Sequence, residues 1–177
     1  MLTRRNMGLS CAAAMAAAAC SQSSIASDPA SKTITTMEPN MTTGENANID
    51  WAGLTEADWK ERLSPAAFKV LRKEGTERPG SSPLNGEKRE GTFVCAGCAL
   101  PLFTSEMKYE SGTGWPSFFN VIEGAVGTKE DRKLFSVRTE YHCARCGGHQ
   151  GHVFPDGPRP TGLRYCNNGV ALDFVPA

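Results

Sequence analysis

The 177-residue sequence has no net charge, no internal repeat and no apolar run long enough to cross a membrane. Its 19 basic residues balance 19 acidic ones, so neither nucleic acid nor an anionic membrane is indicated as the main partner. The apolar run at residues 7–19 is too short to span a bilayer comfortably. With 40% hydrophobic and 8% aromatic residues, the composition is that of one folded domain and a tail.

Acidic residues are absent before Asp28, and residues 1–26 have the pattern of an export signal. Arg4 and Arg5 precede a weakly hydrophobic, Ala-rich run, which favours a twin-arginine signal peptide and a periplasmic location. Cys20 offers the alternative of a lipoprotein anchor, and a merely disordered N-terminus is a further alternative. Residues 27–50 are rich in Ser, Thr, Asn and Pro, so we expect a disordered linker followed by one domain at 51–177.

The domain begins with a helical pattern and continues with strands. Thr55 is a plausible N-cap, Pro65 divides the pattern into helices at 56–63 and 65–74, and Gly75 is a natural stop. Short alternating segments then follow without intervening helices, at 92–95, 118–122, 134–142, 163–166 and 170–174. The sequence therefore predicts a mainly β fold, with two antiparallel sheets arranged as a sandwich or open barrel.

Four of the seven cysteines form two C-x-x-C pairs, which are Cys95 with Cys98 and Cys143 with Cys146. Two such pairs complete a tetrahedral shell of four sulfurs around one zinc ion per chain, and a filled shell makes that ion structural. Two disulfides, or a redox-active dithiol, are the alternatives. A redox dithiol more typically occurs once, at the start of a helix between parallel strands.

Cys166 stands alone, next to an Asn-Asn-Gly turn. Arg164 and Asn168 are each two residues away, so they share its face of a strand and could favour a reactive thiolate. The alternative is a buried structural cysteine.

The three histidines, His142, His149 and His152, fall in one short stretch, where His149 and His152 have H-x-x-H spacing. Because four cysteines already satisfy a zinc ion, acid/base chemistry is the better interpretation, with exposed loop histidines as the alternative. Trp115 lies in a Gly-rich loop and forms either part of the core or the wall of a pocket for a small apolar group.

These motifs together resemble those of the methionine-R-sulfoxide reductases of the B type. The matching segments follow one another over residues 50–176: the cysteine pairs, G-T-G-W-P-S-F, G-G-H-Q-G-H-V-F, D-G-P-x-P-T-G-L-R-Y-C-x-N and A-L-D-F. The resemblance implies two antiparallel sheets with N-terminal helices, a structural four-cysteine zinc site, and reduction of oxidised methionine in protein substrates.

The resemblance also implies roles for individual residues. Cys166 would attack the sulfoxide sulfur and become a sulfenic acid, and Trp115 would pack against the methyl group of the substrate. His149, His152 and Asn168 match positions that polarise the sulfoxide oxygen or stabilise the thiolate. The remaining expected substrate-site residues are Arg164, Asp156 and Phe154.

One position departs from the family pattern. Many members carry a resolving cysteine two residues before the pocket tryptophan, and here that residue is Thr113. We therefore expect an external thiol to reduce the Cys166 sulfenic acid. The alternative functions are a zinc-stapled binding module without enzymatic activity and a general thiol–disulfide oxidoreductase; a monomer is the default expectation.

Overall fold

The computed structural model describes residues 49–132 and 137–177. The predicted signal peptide at 1–26 and the predicted linker, apart from its last two residues, lie outside the described residues. Ile49, at the end of that linker, packs against the core of the domain. None of the helices in the described ranges has the length and apolar character needed to cross a bilayer.

Two short helices open the domain, as predicted. Helix α1 (Glu56–Arg62) begins with a capping box, in which the Thr55 hydroxyl accepts from the Asp58 N–H and the Asp58 carboxylate accepts from the Thr55 N–H. Helix α2 (Pro65–Leu71) has Pro in its first turn, where the missing N–H costs no hydrogen bond. It ends three residues earlier than predicted, and the left-handed residue that follows it is Glu74, with φ of 52°, and not the predicted stop at Gly75.

The strands that follow form two antiparallel sheets, which confirms the predicted fold class. One sheet has the strand order β2-β1-β9, and the other has the order β3-β4-β8-β7-β6-β5. The strands are β1 (Gly91–Cys95), β2 (Pro101–Thr104), β3 (Lys108–Tyr109), β4 (Ser117–Phe118), β5 (Val126–Asp131), β6 (Arg138–Cys143), β7 (His149–Phe154), β8 (Arg164–Asn167) and β9 (Leu172–Pro176).

Three strand predictions differ from the structure. The strand predicted at 170–174 begins only at Leu172, because Gly169–Ala171 form a short 3-10 turn, and it continues to Pro176. The segment predicted at 118–122 pairs only through Ser117–Phe118, because the chain then turns so that the Ile122 N–H donates to the Leu102 carbonyl of the other sheet. The strand predicted at 134–142 is described from Arg138 and continues to Cys143, while residues 133–136 lie outside the described residues. Strand β5 has three consecutive exposed residues, Thr128, Lys129 and Glu130, and therefore no apolar alternation that predicts it.

Aromatic side chains from both sheets meet in one core. Phe103 of β2 and Phe118 of β4 are fully buried and stack with ring centroids 3.9 Å apart. Phe93 of β1 packs edge-on against Phe118 at 5.0 Å, and Tyr141 of β6 packs at right angles to Phe103 at 6.3 Å. These contacts hold the two sheets together at a fixed separation.

We expect Phe103→Ala to lower the free energy of unfolding by about 3 to 5 kcal/mol, because it removes a fully buried ring between the sheets and leaves a cavity. Urea denaturation followed by intrinsic fluorescence measures this loss. Val137→Ala is the control, since Val137 is 67% exposed and its truncation should change stability by less than about 0.5 kcal/mol. Equal losses in the two variants would contradict the core described above.

Candidate functional site

A cleft of about 140 Å³ opens on one face of the six-stranded sheet. Its volume is well below the roughly 300–1,000 Å³ of sites that enclose whole small molecules, so it suits the end of one side chain. Five of the residues singled out from the sequence line it, together with three others. The lining residues are Thr76, Trp115, Arg138, His152, Phe154, Cys166, Asn167 and Asn168.

Cys166 lies on β8, between β4 and β7. Its register partner on β4 is Ser117, and its register partner on β7 is His152. Directly opposite residues of antiparallel strands project from the same face of a sheet. The three side chains therefore form a row across three strands, with the Cys166 sulfur in the middle.

The Cys166 thiol is partly buried, and this burial raises its pKa above the ordinary value. The positive charge of Arg164 opposes that effect, as do hydrogen bonds from Thr113 and Arg164. Burial prevails, so the resting side chain is chiefly a neutral thiol at neutral pH.

Arg164 is held rigidly beside Cys166. Its Nε and Nη2 atoms donate to the two carboxylate oxygens of Asp156 at 2.8 and 2.9 Å, and this pair lowers the pKa of Asp156. The guanidinium carbon also lies 4.4 Å from the centroid of the Phe154 ring. Clamped between a carboxylate and an aromatic face, Arg164 acts as a fixed positive charge near the thiol.

His152 is oriented by a carboxylate that the sequence did not indicate. Its Nε2 atom lies 2.8 Å from Oδ2 of Asp131, and the same oxygen accepts from Nη2 of Arg138 at 2.6 Å. Asp131 and Arg138 are register partners on β5 and β6. Because a carboxylate only accepts hydrogen bonds, the Asp131 contact places a hydrogen on Nε2 of His152.

Glu77 is a second residue that sequence reasoning missed. Its backbone carbonyl accepts from the Trp115 indole N–H at 3.2 Å, and its backbone N–H donates to Oδ1 of Asn168 at 3.0 Å. Its carboxylate accepts the N–H groups of Gly169 and Val170. One residue in an irregular segment thus fixes both the tryptophan and the turn that follows Cys166.

The two remaining polar candidates have different surroundings. The Asn168 amide also donates to the Gln150 carbonyl at 3.0 Å, and among the described residues its second N–H makes no hydrogen bond. His149 does not line the cleft: it is buried behind His152, with ring centroids 5.5 Å apart and Nδ1 3.1 Å from Oε1 of Glu140. Burial lowers the pKa of His149, although Glu140 opposes this effect.

The four paired cysteines lie together, away from the cleft. Their sulfurs are all within 4.8 Å of one another, with Cys95–Cys146 at 3.7 Å and Cys98–Cys143 at 3.5 Å. Disulfide sulfurs would be about 2.05 Å apart, so these cysteines are free thiols. Four sulfurs around one ion with bonds of about 2.3 Å lie about 3.8 Å apart in a tetrahedron, so the cluster fits a metal ion.

Comparison with known proteins identifies one family. The SelR domain matches residues 63–176. The similar proteins include several that bear the name peptide methionine sulfoxide reductase MsrB. The Agrobacterium fabrum protein is 50% identical over 69% of this chain and 91% of its own length. The Methanosarcina barkeri protein is 53% identical over 68% and 85%, and that of Pseudomonas savastanoi pv. phaseolicola is 54% identical over 69% and 94%.

We expect alkylation of Cys166 by iodoacetamide to keep accelerating above the pH at which a free cysteine, with a pKa of about 8.5, approaches its maximum rate. The reason is that burial raises the pKa of this thiol, so the reactive thiolate forms only at higher pH. The rate is read from the Cys166 peptide by mass spectrometry, with Cys166→Ser as the control for other labelling. A plateau at or below the pH at which a free cysteine reaches its maximum rate would contradict the raised pKa.

Proposed function

The chain belongs to the SelR-domain family of peptide methionine sulfoxide reductases, and from this premise we propose that it reduces the R epimer of methionine sulfoxide through Cys166. The family makes it an oxidoreductase that acts on oxidised methionine in proteins. The observation that carries the assignment to Cys166 is the cleft itself, in which the one unclustered thiol of the described residues faces an indole and a histidine.

The reaction transfers the sulfoxide oxygen to Cys166. Its sulfur attacks the substrate sulfur and forms a transient sulfur–sulfur bond. As that bond and the sulfur–oxygen bond of the substrate break, the oxygen bonds to the cysteine sulfur, and the products are methionine and a Cys166 sulfenic acid. The methionine sulfur gains the two electrons that the cysteine sulfur loses. The raised pKa keeps Cys166 a neutral thiol at rest. A neutral thiol and a sulfoxide together already contain every proton of these products, so the reaction needs no proton from outside.

His152 transfers the proton, and Asn168 stabilises the oxygen that receives it. The thiol proton has to move from the Cys166 sulfur to the developing oxyanion, and His152 lies on the adjacent strand in direct register with Cys166. Its Nδ1 exchanges the proton, while Asp131 fixes the ring through Nε2. The unused N–H of Asn168 donates to the sulfoxide oxygen and stabilises its charge.

Trp115 sets the choice of epimer. Its indole provides the apolar wall of the cleft, and the hydrogen bond to Glu77 holds the ring in place. The R epimer places its methyl group on the indole and its oxygen towards the donors. The S epimer exchanges the two, which leaves a polar oxygen without a donor against an apolar face.

The four-cysteine cluster would hold a zinc ion with a structural role. Its sulfur spacing fits, and Nε2 of the fully buried Gln150 donates to the Cys95 sulfur at 3.3 Å, as a hydrogen bond to a metal-bound thiolate would. Four sulfurs leave no coordination position for substrate, so zinc would supply no chemistry to the cleft and would fix the hairpins that carry the thiols.

An external thiol would complete the cycle. Among residues 49–132 and 137–177, no cysteine other than Cys166 lines the cleft, because the other four belong to the metal cluster. Thr113 occupies the family position of a resolving cysteine and contacts the Cys166 sulfur with a hydroxyl. The Cys166 sulfenic acid is therefore reduced by a thiol from solution.

With dithiothreitol as reductant, we expect turnover of the R epimer of a methionine sulfoxide peptide and none of the S epimer, measured by chiral separation of substrate and product. Cys166→Ser should abolish turnover. Trp115→Ala should lower kcat/KM for the R epimer by about 10- to 200-fold, because it removes the apolar wall that binds the methyl group.

The same assay tests the source of electrons. Without added thiol, the yield should stop at one methionine per chain. Equal turnover of both epimers would overturn the epimer assignment, and undiminished turnover by Cys166→Ser would overturn the nucleophile.

Elemental analysis of the purified protein should find one zinc per chain. Cys98→Ser should lose the metal and melt at a lower temperature, since it breaks the link between the hairpins. Cys166→Ser is the matched control, because it replaces a cysteine outside the cluster and should keep its zinc. Full zinc content in Cys98→Ser would refute the assignment.

A further inference from the structure

A row of three hydroxyl groups leads from the buried side of the cleft to the Cys166 sulfur. Oγ of Ser117 lies 2.7 Å from Oγ of Ser111, which lies 2.8 Å from Oγ1 of Thr113. The Thr113 hydroxyl in turn lies close enough to the Cys166 sulfur for hydrogen bonding to lower the pKa of that thiol. At the far end of the row, Oγ of Ser117 also has an acceptor, because it donates to the Trp115 carbonyl at 3.2 Å.

The fold brings these groups together from two elements. Ser117 is fully buried on β4 and is the direct register partner of Cys166 on β8, so both side chains project from one face of the sheet. Ser111 and Thr113 come from the preceding loop, where Gly112 and Gly114 take left-handed conformations with φ of 71° and 89°. These two reversals let a short loop place both hydroxyls beside the sulfur.

A hydroxyl group donates one hydrogen bond and accepts others, so the row works in either direction. When Cys166 is a thiol, its S–H donates to Thr113, and each hydroxyl donates to the next until Ser117 donates to the Trp115 carbonyl. When Cys166 is a thiolate, each hydroxyl turns round: Ser117 donates to Ser111, Ser111 to Thr113, and Thr113 to the sulfur.

We propose that this row is a reversible hydrogen-bond relay that serves both protonation states of Cys166. Thr113 contacts the reacting sulfur and donates to the thiolate. Ser111 and Ser117 are positioning residues: when Thr113 donates to the sulfur, Ser111 donates to the Thr113 oxygen and Ser117 donates to Ser111. No oxygen–hydrogen bond breaks within the row. The thiol proton leaves through the cleft, to water or to the sulfoxide oxygen, and three hydroxyl hydrogens rotate.

The relay complements the fixed charge of Arg164. That guanidinium is committed to the two oxygens of Asp156, so its field acts on Cys166 whether or not a thiolate is present. The Thr113 hydroxyl can either accept or donate, because rotation about its carbon–oxygen bond alone turns it from acceptor to donor. The row therefore stabilises the thiolate when it forms without penalising the resting thiol.

Thr113→Val removes the hydroxyl and keeps the branched shape of the side chain. We expect the pH midpoint of Cys166 alkylation to rise by about one unit, which is about tenfold less thiolate at a given pH, since a hydrogen bond to a charged sulfur is lost. Thr113→Ser restores a hydroxyl and should return the midpoint to that of the unmodified protein. Both midpoints are read from the Cys166 peptide in the zinc-loaded protein.

Ser111→Ala breaks the row one step further away and should raise the midpoint by a smaller amount. Thr104→Val is the matched control, because Thr104 lies at the end of β2 in the other sheet and should leave the midpoint unchanged. The relay is wrong if Thr113→Val has the midpoint of the unmodified protein, or if Thr113→Ser shifts it as far as Thr113→Val does.

The proposal rests on the proposed function only in taking Cys166 as the reacting group. Alkylation measures the thiolate directly and needs no sulfoxide substrate. A failed epimer assay with the expected alkylation shifts would therefore refute the activity alone. Turnover of the R epimer without those shifts would refute the relay alone.

Discussion

The position of the cleft depends on the contact between two hairpin turns from different sheets. The turn after β1 and the turn after β6 each carry a cysteine pair, and their four sulfurs lie within 4.8 Å of one another. From that cluster a fully buried amide reaches the strand that carries Cys166: Gln150 donates to the Cys95 sulfur and accepts from Asn167, the neighbour of Cys166. Separating the turns would remove the support beneath the strand that carries Cys166.

Most of the fold could be predicted from local sequence pattern. The capping residue Thr55, the break at Pro65 and the alternation around Leu172 each act over a few residues, so a single sequence reveals them. Strand β5 could not be predicted this way. Its exposed side chains show no apolar period, and it becomes a strand because β6 offers it a hydrogen-bonding edge.

The residues of the site likewise differ in whether the sequence alone identifies them. Cys166 and Trp115 stand out because an unpaired cysteine and a tryptophan in a glycine-rich loop are chemically unusual, and the structure has both lining one cleft. Asp131 and Glu77 have no such signal. Each acts through a partner far away in sequence, His152 for Asp131 and Trp115 for Glu77. Only the strand register and the packing of the loops bring each residue to its partner, so the sequence alone does not identify them.

Cys166 lies on a strand that is hydrogen-bonded on both sides, by β4 and by β7. Its backbone has no freedom to swing aside, because such a movement would break two ladders at once. On the proposed chemistry the oxidised sulfur remains where methionine departed, and the reducing thiol has to enter by the same opening. Oxidised substrate and reductant must therefore alternate in one space, so a large excess of either obstructs the half-reaction of the other.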